Sequence, residues 1–199
     1  MHDETSLDPR PGDALLVIDV QRDFLPGGTL AVPGGEEVVE PLNRYVRLFA
    51  ARSLPVFASR DWHPANHCSF TAQGGPWPAH CVADTSGAQF APQLRLPEDV
   101  QIVSKASEPK REAYSDFSGG DFKERLHRQG VRRLFAGGLA TEFCVLATVR
   151  DALAHGYRVV LLADAIRAID RQPGDGRRAI DEMTRLGAVA VSWENIANG

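Results

Sequence analysis

The chain has 199 residues, the size of one ordinary α/β domain, and two full domains would be cramped in it. Lys and Arg number 22 against 26 Asp and Glu, a net charge of −4, and Arg132-Arg133 and Arg177-Arg178 are isolated pairs rather than a basic stripe, which argues against nucleic-acid binding. Three cysteines, Cys68, Cys81 and Cys144, are too few and too odd in number for a disulfide framework. With no membrane-length apolar run and no signal-peptide core, the expected location is the cytoplasm.

Residues 1–12 are polar with two prolines and a glycine, and read as a flexible leader to a single domain over 13–199. ALLVID (14–19) is an unbroken apolar run ending in an acid, the pattern of a strand buried on both faces. From Gly34 to Arg52, Val38, Val39, Leu42, Val46 and Phe49 fall at helical spacings. PVFASR (55–60) is the next strand. Residues 61–98 break the rhythm with prolines, three histidines, two tryptophans and two of the three cysteines, and an aperiodic stretch this long is usually functional. The pattern resumes with strand at 100–105, helix at 121–130, strand at 132–138 and helix at 141–156. Strand at 157–164, helix at 176–186 and strand at 188–192 complete the chain. This alternation predicts a three-layer αβα sandwich on a mostly parallel sheet of about six strands.

In such sheets ligands sit outside the carboxyl ends of the strands. Asp19 closes the first strand, Arg60-Asp61 the second and Lys105 the third; the fourth runs through GGLAT (137–141) to Cys144. All four tips are expected at one crevice. Cys144 falls about one turn into a helix, where outward N–H groups and the helix dipole lower a thiol toward the thiolate. Most free cysteines are simply small buried hydrophobes, an acid at a strand end can cap a turn, and a lysine there can be solvated. Together, however, Asp19, Lys105 and Cys144 form a nucleophile, its base and a cation that holds both anions. Asp61 and His63, followed by His67 and His80, offer donors for a divalent metal, although histidines in a loop often only make hydrogen bonds. The aromatics Phe24, Trp62, Trp77 and Tyr114 can stack on a flat ring or anchor their loops on the core.

These stretches, ALLVIDVQRDFLPGGTLAVPGG (14–35), SRDWHPANHCSF (59–70), GPWPAHCV (75–82), Lys105 with YSDF (114–117), and GGLATEFCVLATVRDAL (137–153), resemble the nicotinamide-hydrolysing branch of the isochorismatase-like cysteine hydrolase superfamily. The resemblance implies a Rossmann-like fold and Asp19, Lys105 and Cys144 as the catalytic triad. It implies a metal on Asp61, His63 and His80, usually zinc, with iron or manganese as alternatives; His67 is left out of the set. It further implies a cis peptide before Ala140, an oxyanion hole from the Ala140 and Cys144 N–H groups, and Phe24 and Trp77 flanking the substrate ring. The implied reaction turns nicotinamide, or its analogue pyrazinamide, into the acid and ammonia through a cysteine thioester, a step of pyridine nucleotide salvage. An amidase of the same superfamily acting on a carbamoyl or ureido compound is the alternative, disfavoured by the metal set. A metal-free vinyl ether hydrolase is disfavoured by Cys144, and a non-catalytic binding module by the complete triad. The partner is thus a small molecule, neither nucleic acid nor membrane, and apolar helical faces leave room for a homo-oligomer.

Overall fold

A computed structural model describes residues 7–197. Six strands form one sheet: β1 (Asp13–Ile18), β2 (Val56–Asp61), β3 (Gln101–Lys105), β4 (Arg133–Leu139), β5 (Arg158–Arg167) and β6 (Val189–Val191). Their order is β3-β2-β1-β4-β5-β6 and every pairing is parallel. All six residues of β1 and all seven of β4 are buried, as the unbroken apolar runs require of central strands covered on both faces.

Alternation along the strands builds two cores. Leu15, Val17, Val56, Ala58, Phe135, Val160 and Leu162 face α1 (Val39–Ala51), whose Leu42, Tyr45, Val46 and Phe49 recur at one-turn spacing. Leu16, Ile18, Phe57, Val103, Leu134, Ala136 and Leu161 face the other way. There they meet α2 (Phe122–Arg128), α3 (Leu146–Ala154) and α4 (Asp175–Arg185) through Phe122, Leu126, Val149, Ala152, Ala179 and Met183. A short α5 (Trp193–Ala197), which the sequence pattern did not announce, closes the first face through Ile196. The result is the expected three-layer sandwich.

Residues 1–6 of the expected leader lie outside the described residues. The rest of it is tethered: Asp8 pairs with Arg52 at 2.7 Å, and Arg133 donates to the Asp8 carbonyl. No helix among the described residues is long and apolar enough to cross a membrane.

The aperiodic segment between β2 and β3 folds over the carboxyl ends of β1 and β2. Isolated bridges join Gln21 to Phe90, His63 to Val82 and Phe70 to Trp77, and Asn43 of α1 holds the far end through Gln93 and Arg95. The strand order reverses between β1 and β4, so Asp19 and the residues after Leu139 flank the switch point.

Gly138 keeps that switch point closed. It pairs with Ile18 at φ 138°, and a Cβ there would stand 2.0 Å from the Ile18 carbonyl oxygen. Because the obstructing atoms are all Ile18 backbone, which cannot swing aside, Gly138→Ala is expected to cost ~2–3 kcal/mol, lowering Tm by roughly 5–10 °C in a thermal melt. An unchanged Tm would mean that β1 and β4 tolerate separation at their tips.

Candidate active site

The register of β2 against β3 sets Asp61 beside Lys105 at the carboxyl edge of the sheet. Lys105 is 4% exposed, and its Nζ donates to Asp19 Oδ2 at 2.6 Å, to Asp61 Oδ1, and toward Cys144 Sγ at 3.5 Å. One oxygen each of Asp19 and Asp61 and the Cys144 sulfur lie within 4.8 Å of one another. The three expected triad members therefore converge on one ammonium group.

Asp19 follows β1 at φ 49°, which turns its carboxylate back across the strand tip. Ser59 grips it twice: the Ser59 carbonyl accepts the Asp19 N–H at 3.2 Å, and the Ser59 hydroxyl donates to Asp19 Oδ1 at 2.8 Å. Ser59 and Asp61 sit two apart on β2 and so share a face, which is the period-2 signal that would have singled Ser59 out. Gln21 does the same work on Asp61, accepting its N–H at 2.8 Å and donating to its carbonyl at 2.8 Å and to that of Ala88 at 2.9 Å. Gln21 is fully buried, and its place in the sequence alone did not announce this role.

Charge follows from burial and neighbours. Burial opposes ionisation of Asp61, but Lys105 and the nearby imidazoles outweigh it and hold the carboxyl below its usual range. Burial disfavours the Lys105 ammonium, yet Asp19 and Asp61 more than offset it, keeping the lysine charged. Asp19 is pushed up by burial, with Lys105 only partly compensating, which makes it the stronger base. The expectation of an acidified Cys144 is overturned. Burial pushes the thiol well above its usual range, the carboxylates of Asp19 and Asp61 add to it, and Lys105 does not compensate. Cys144 lies not in a regular helix start but in a π-type turn, Thr141–Val145, sunk against these acids. Cys144 is thus held as a neutral thiol, with the Asp19 carboxylate as the basic group in reach.

Asp61, His63 and His80 each bring a donor atom within 4.8 Å of the others. His63 Nδ1 faces the His80 carbonyl at 3.0 Å, and His80 Nδ1 faces the Pro78 carbonyl at 2.8 Å. A carbonyl only accepts, so each ring carries its proton on Nδ1 and keeps the Nε2 lone pair free. Burial pushes His63 down to about 4, which keeps it neutral. Two neutral imidazoles and one anionic carboxylate suit a divalent metal with open positions. His67 is differently placed: Nε2 faces the Arg111 carbonyl at 3.0 Å and Nδ1 the Ser69 hydroxyl at 2.7 Å. Both its nitrogens are engaged, although its ring is 4.4 Å from that of His63.

Of the aromatics, Phe24 packs against His80 at 5.6 Å, and Trp77 meets Phe143 edge-on at 5.0 Å while donating from Nε1 to the Tyr114 hydroxyl at 3.0 Å. Tyr114 and the unanticipated Phe143 thus anchor Trp77. Trp62 stands apart, stacked under Arg60. The Leu139–Ala140 peptide is cis, as the resemblance implied. Asp23, also missed, accepts from the Cys81 N–H at 2.7 Å and ties the loop carrying His80 to the end of β1. Gly87 is required beneath it, since a Cβ there would lie 2.1 Å from the Asp23 carboxylate.

Residues 13–195 match the family model described as the isochorismatase domain. A nicotinamidase of Escherichia coli is 36% identical, over 92% of this chain and 98% of its own. Among solved structures, the pyrazinamidase of Pyrococcus horikoshii in complex with zinc is 49% identical at a TM-score of 0.88, covering 92% of this chain and 100% of that one. An L. infantum protein in complex with nicotinate is 33% identical at a TM-score of 0.87, covering 96% and 98%.

Proposed function

The chain belongs to the isochorismatase-domain family, and from that premise we propose that it is an amide hydrolase converting nicotinamide to nicotinate and ammonia. The observation that carries this reading is the single Lys105 ammonium in contact with Asp19, Asp61 and Cys144, beside a set of metal donors. Asp19, Lys105 and Cys144 are the catalytic residues in this reading. The domain spans 13–199, and three free thiols among the described residues suit a reducing cytoplasm.

Asp19 removes the Cys144 proton as the sulfur attacks the amide carbon. Lys105 stays between the two, compensating charge as it passes from carboxylate to sulfur and back. Negative charge on the former carbonyl oxygen is received by the Ala140 and Cys144 N–H groups. Collapse breaks the C–N bond, Asp19 returns its proton to the departing ammonia, and the acyl group remains on sulfur as a thioester. Water, deprotonated by Asp19, adds to that thioester; the C–S bond breaks, sulfur regains the proton, and nicotinate leaves. Asp61, His63 and His80 would hold a divalent metal, zinc before iron or manganese. Bound there, it supplies a Lewis-acid site for the ring nitrogen and so orients the ring. Phe24 and Trp77 flank the ring.

The test is ammonia release across nicotinamide, pyrazinamide, benzamide and a ureido compound, with elemental analysis of the purified protein. The reading expects the two ring-nitrogen amides to turn over far faster than benzamide, and a single zinc ion per chain. Preference for the ureido compound, or full activity on benzamide, would overturn it.

A further inference from the structure

Trp77 has a third neighbour besides Tyr114 and Phe143. The guanidinium of Arg171 stands over the indole, 5.1 Å from the ring centroid. Arg171 comes from the loop 168–174, which joins β5 to α4, and its side chain is otherwise exposed.

An arginine on an exposed loop ordinarily spends its charge on water or on a nearby acid. The acids closest to it in the chain are engaged elsewhere. Asp170 Oδ1 accepts the Gly176 N–H at 2.7 Å. Asp175 pairs with Arg178 at 2.6 Å and accepts the Gln172 N–H at 2.8 Å. Among the described residues the Arg171 guanidinium makes no hydrogen bond and no ion pair, and the ring beneath it is Trp77.

The backbone that carries Arg171 is pinned on both sides. Before it, the Asp170 N–H donates to Glu142 Oε1 at 2.8 Å, and Glu142 belongs to the Thr141–Val145 turn that holds Cys144. After it, the Gln172 N–H is tied to Asp175 at the start of α4. The loop also closes tightly, since a Cβ at Gly176 would stand 2.4 Å from that of Ala168. The arginine is thus delivered to the indole by a loop anchored on the nucleophile's own turn.

We propose that Arg171 is a positioning residue for the substrate ring: its guanidinium, seated over the indole, fixes Trp77 as a wall of the ring site. A cation over an aromatic face is attracted by the ring quadrupole, and this attraction needs no acid partner. Tyr114 holds the indole nitrogen and Phe143 meets the ring at 5.0 Å, so Arg171 supplies the third constraint. A wall that is fixed before the ligand arrives has less ordering left to lose on binding. The inference rests on the reading of Trp77 as flanking the substrate ring. Because a wall acts on binding rather than on the bond-making step, the effect falls on KM.

The experiment measures kcat and KM for nicotinamide in Arg171→Ala, Arg171→Met, Trp77→Leu and the Arg171→Ala/Trp77→Leu pair, with a thermal melt of each. Arg171→Ala is expected to raise KM roughly two- to fivefold with kcat within about twofold, the size of one exposed cation–π contact. Arg171→Met keeps the reach of the side chain without its charge, and should lose as much. In the Trp77→Leu background, Arg171→Ala should shift KM by less than about 1.5-fold. A parent-like KM in Arg171→Ala or Arg171→Met, a fall in kcat in place of the rise in KM, or an undiminished effect beside Trp77→Leu would each overturn the proposal. Both Arg171 variants change an exposed side chain, so they decide the matter even if Trp77→Leu does not fold. Trp77→Leu separates the two levels: a parent-like KM there fails the reading of the ring wall, whereas a raised KM beside an indifferent Arg171→Ala sinks only this inference.

Discussion

Cys144→Ala is expected to reduce nicotinamide turnover by at least about 10⁴-fold while leaving the fold and the metal content unchanged. The sulfur is the one atom in the cluster that can form the acyl bond, and its nearest polar neighbours do not depend on it. Lys105 remains held by Asp19 and Asp61, and the Asp61 backbone by one hydrogen bond donated to Gln21 and one accepted from it. Losing one buried sulfur leaves a small void worth about 1 kcal/mol, far too little to unfold a domain with two continuous cores. The check is an ammonia-release assay beside a thermal melt and metal analysis. Residual turnover within a hundredfold of the parent would remove Cys144 from the nucleophile role. Asp19→Asn, nearly isosteric but unable to take a proton, should fall almost as far.

The second large effect is expected from His63→Ala/His80→Ala. Each ring is aimed by a backbone carbonyl on its Nδ1, of His80 and Pro78 respectively, so both Nε2 atoms are set by the loop rather than by chance packing. Their removal leaves Asp61 as the sole donor of the set, and metal affinity should fall by well over ~100-fold, beyond the range typical for changes outside the ligand shell. Because the triad contacts of Lys105 are untouched, the loss should be mainly in KM, with part of kcat surviving at high nicotinamide. Metal retained at full stoichiometry in the double variant would show that the ion sits elsewhere. Asp19, Asp61 and Cys144, the described donor group that keeps all its members in that variant, is the place to look in that case.

Most of the frame was legible because its signals are local. An unbroken apolar run marked β1 as a strand covered on both faces, and Asp19, Asp61 and Lys105, at the ends of the first three strands, marked the site. The convergence of Asp19, Lys105 and Cys144 was legible for the same reason, since a parallel sheet delivers all its strand tips to one edge. What escaped is what depends on tertiary neighbours. Ser59 and Gln21 look unremarkable in sequence and become essential only when β2 and β1 lie side by side. The sign of the Cys144 shift was misread because helix-start logic assumes an exposed N-terminus, whereas the Thr141–Val145 turn is pressed against two carboxylates. Asp116 sat inside a quoted motif, YSDF, yet the burial of its carboxyl with no hydrogen-bond partner among the described residues is a property of packing alone.

The most direct measurement is rapid acid quench of the enzyme during turnover of nicotinamide, followed by proteolysis and mass spectrometry. The account predicts a nicotinoyl group bound through sulfur on the peptide carrying Cys144, lost on hydroxylamine treatment and absent from Cys144→Ala. Turnover at the parent rate with no acyl adduct at any time point, or an adduct on Cys68 or Cys81 instead, would contradict it.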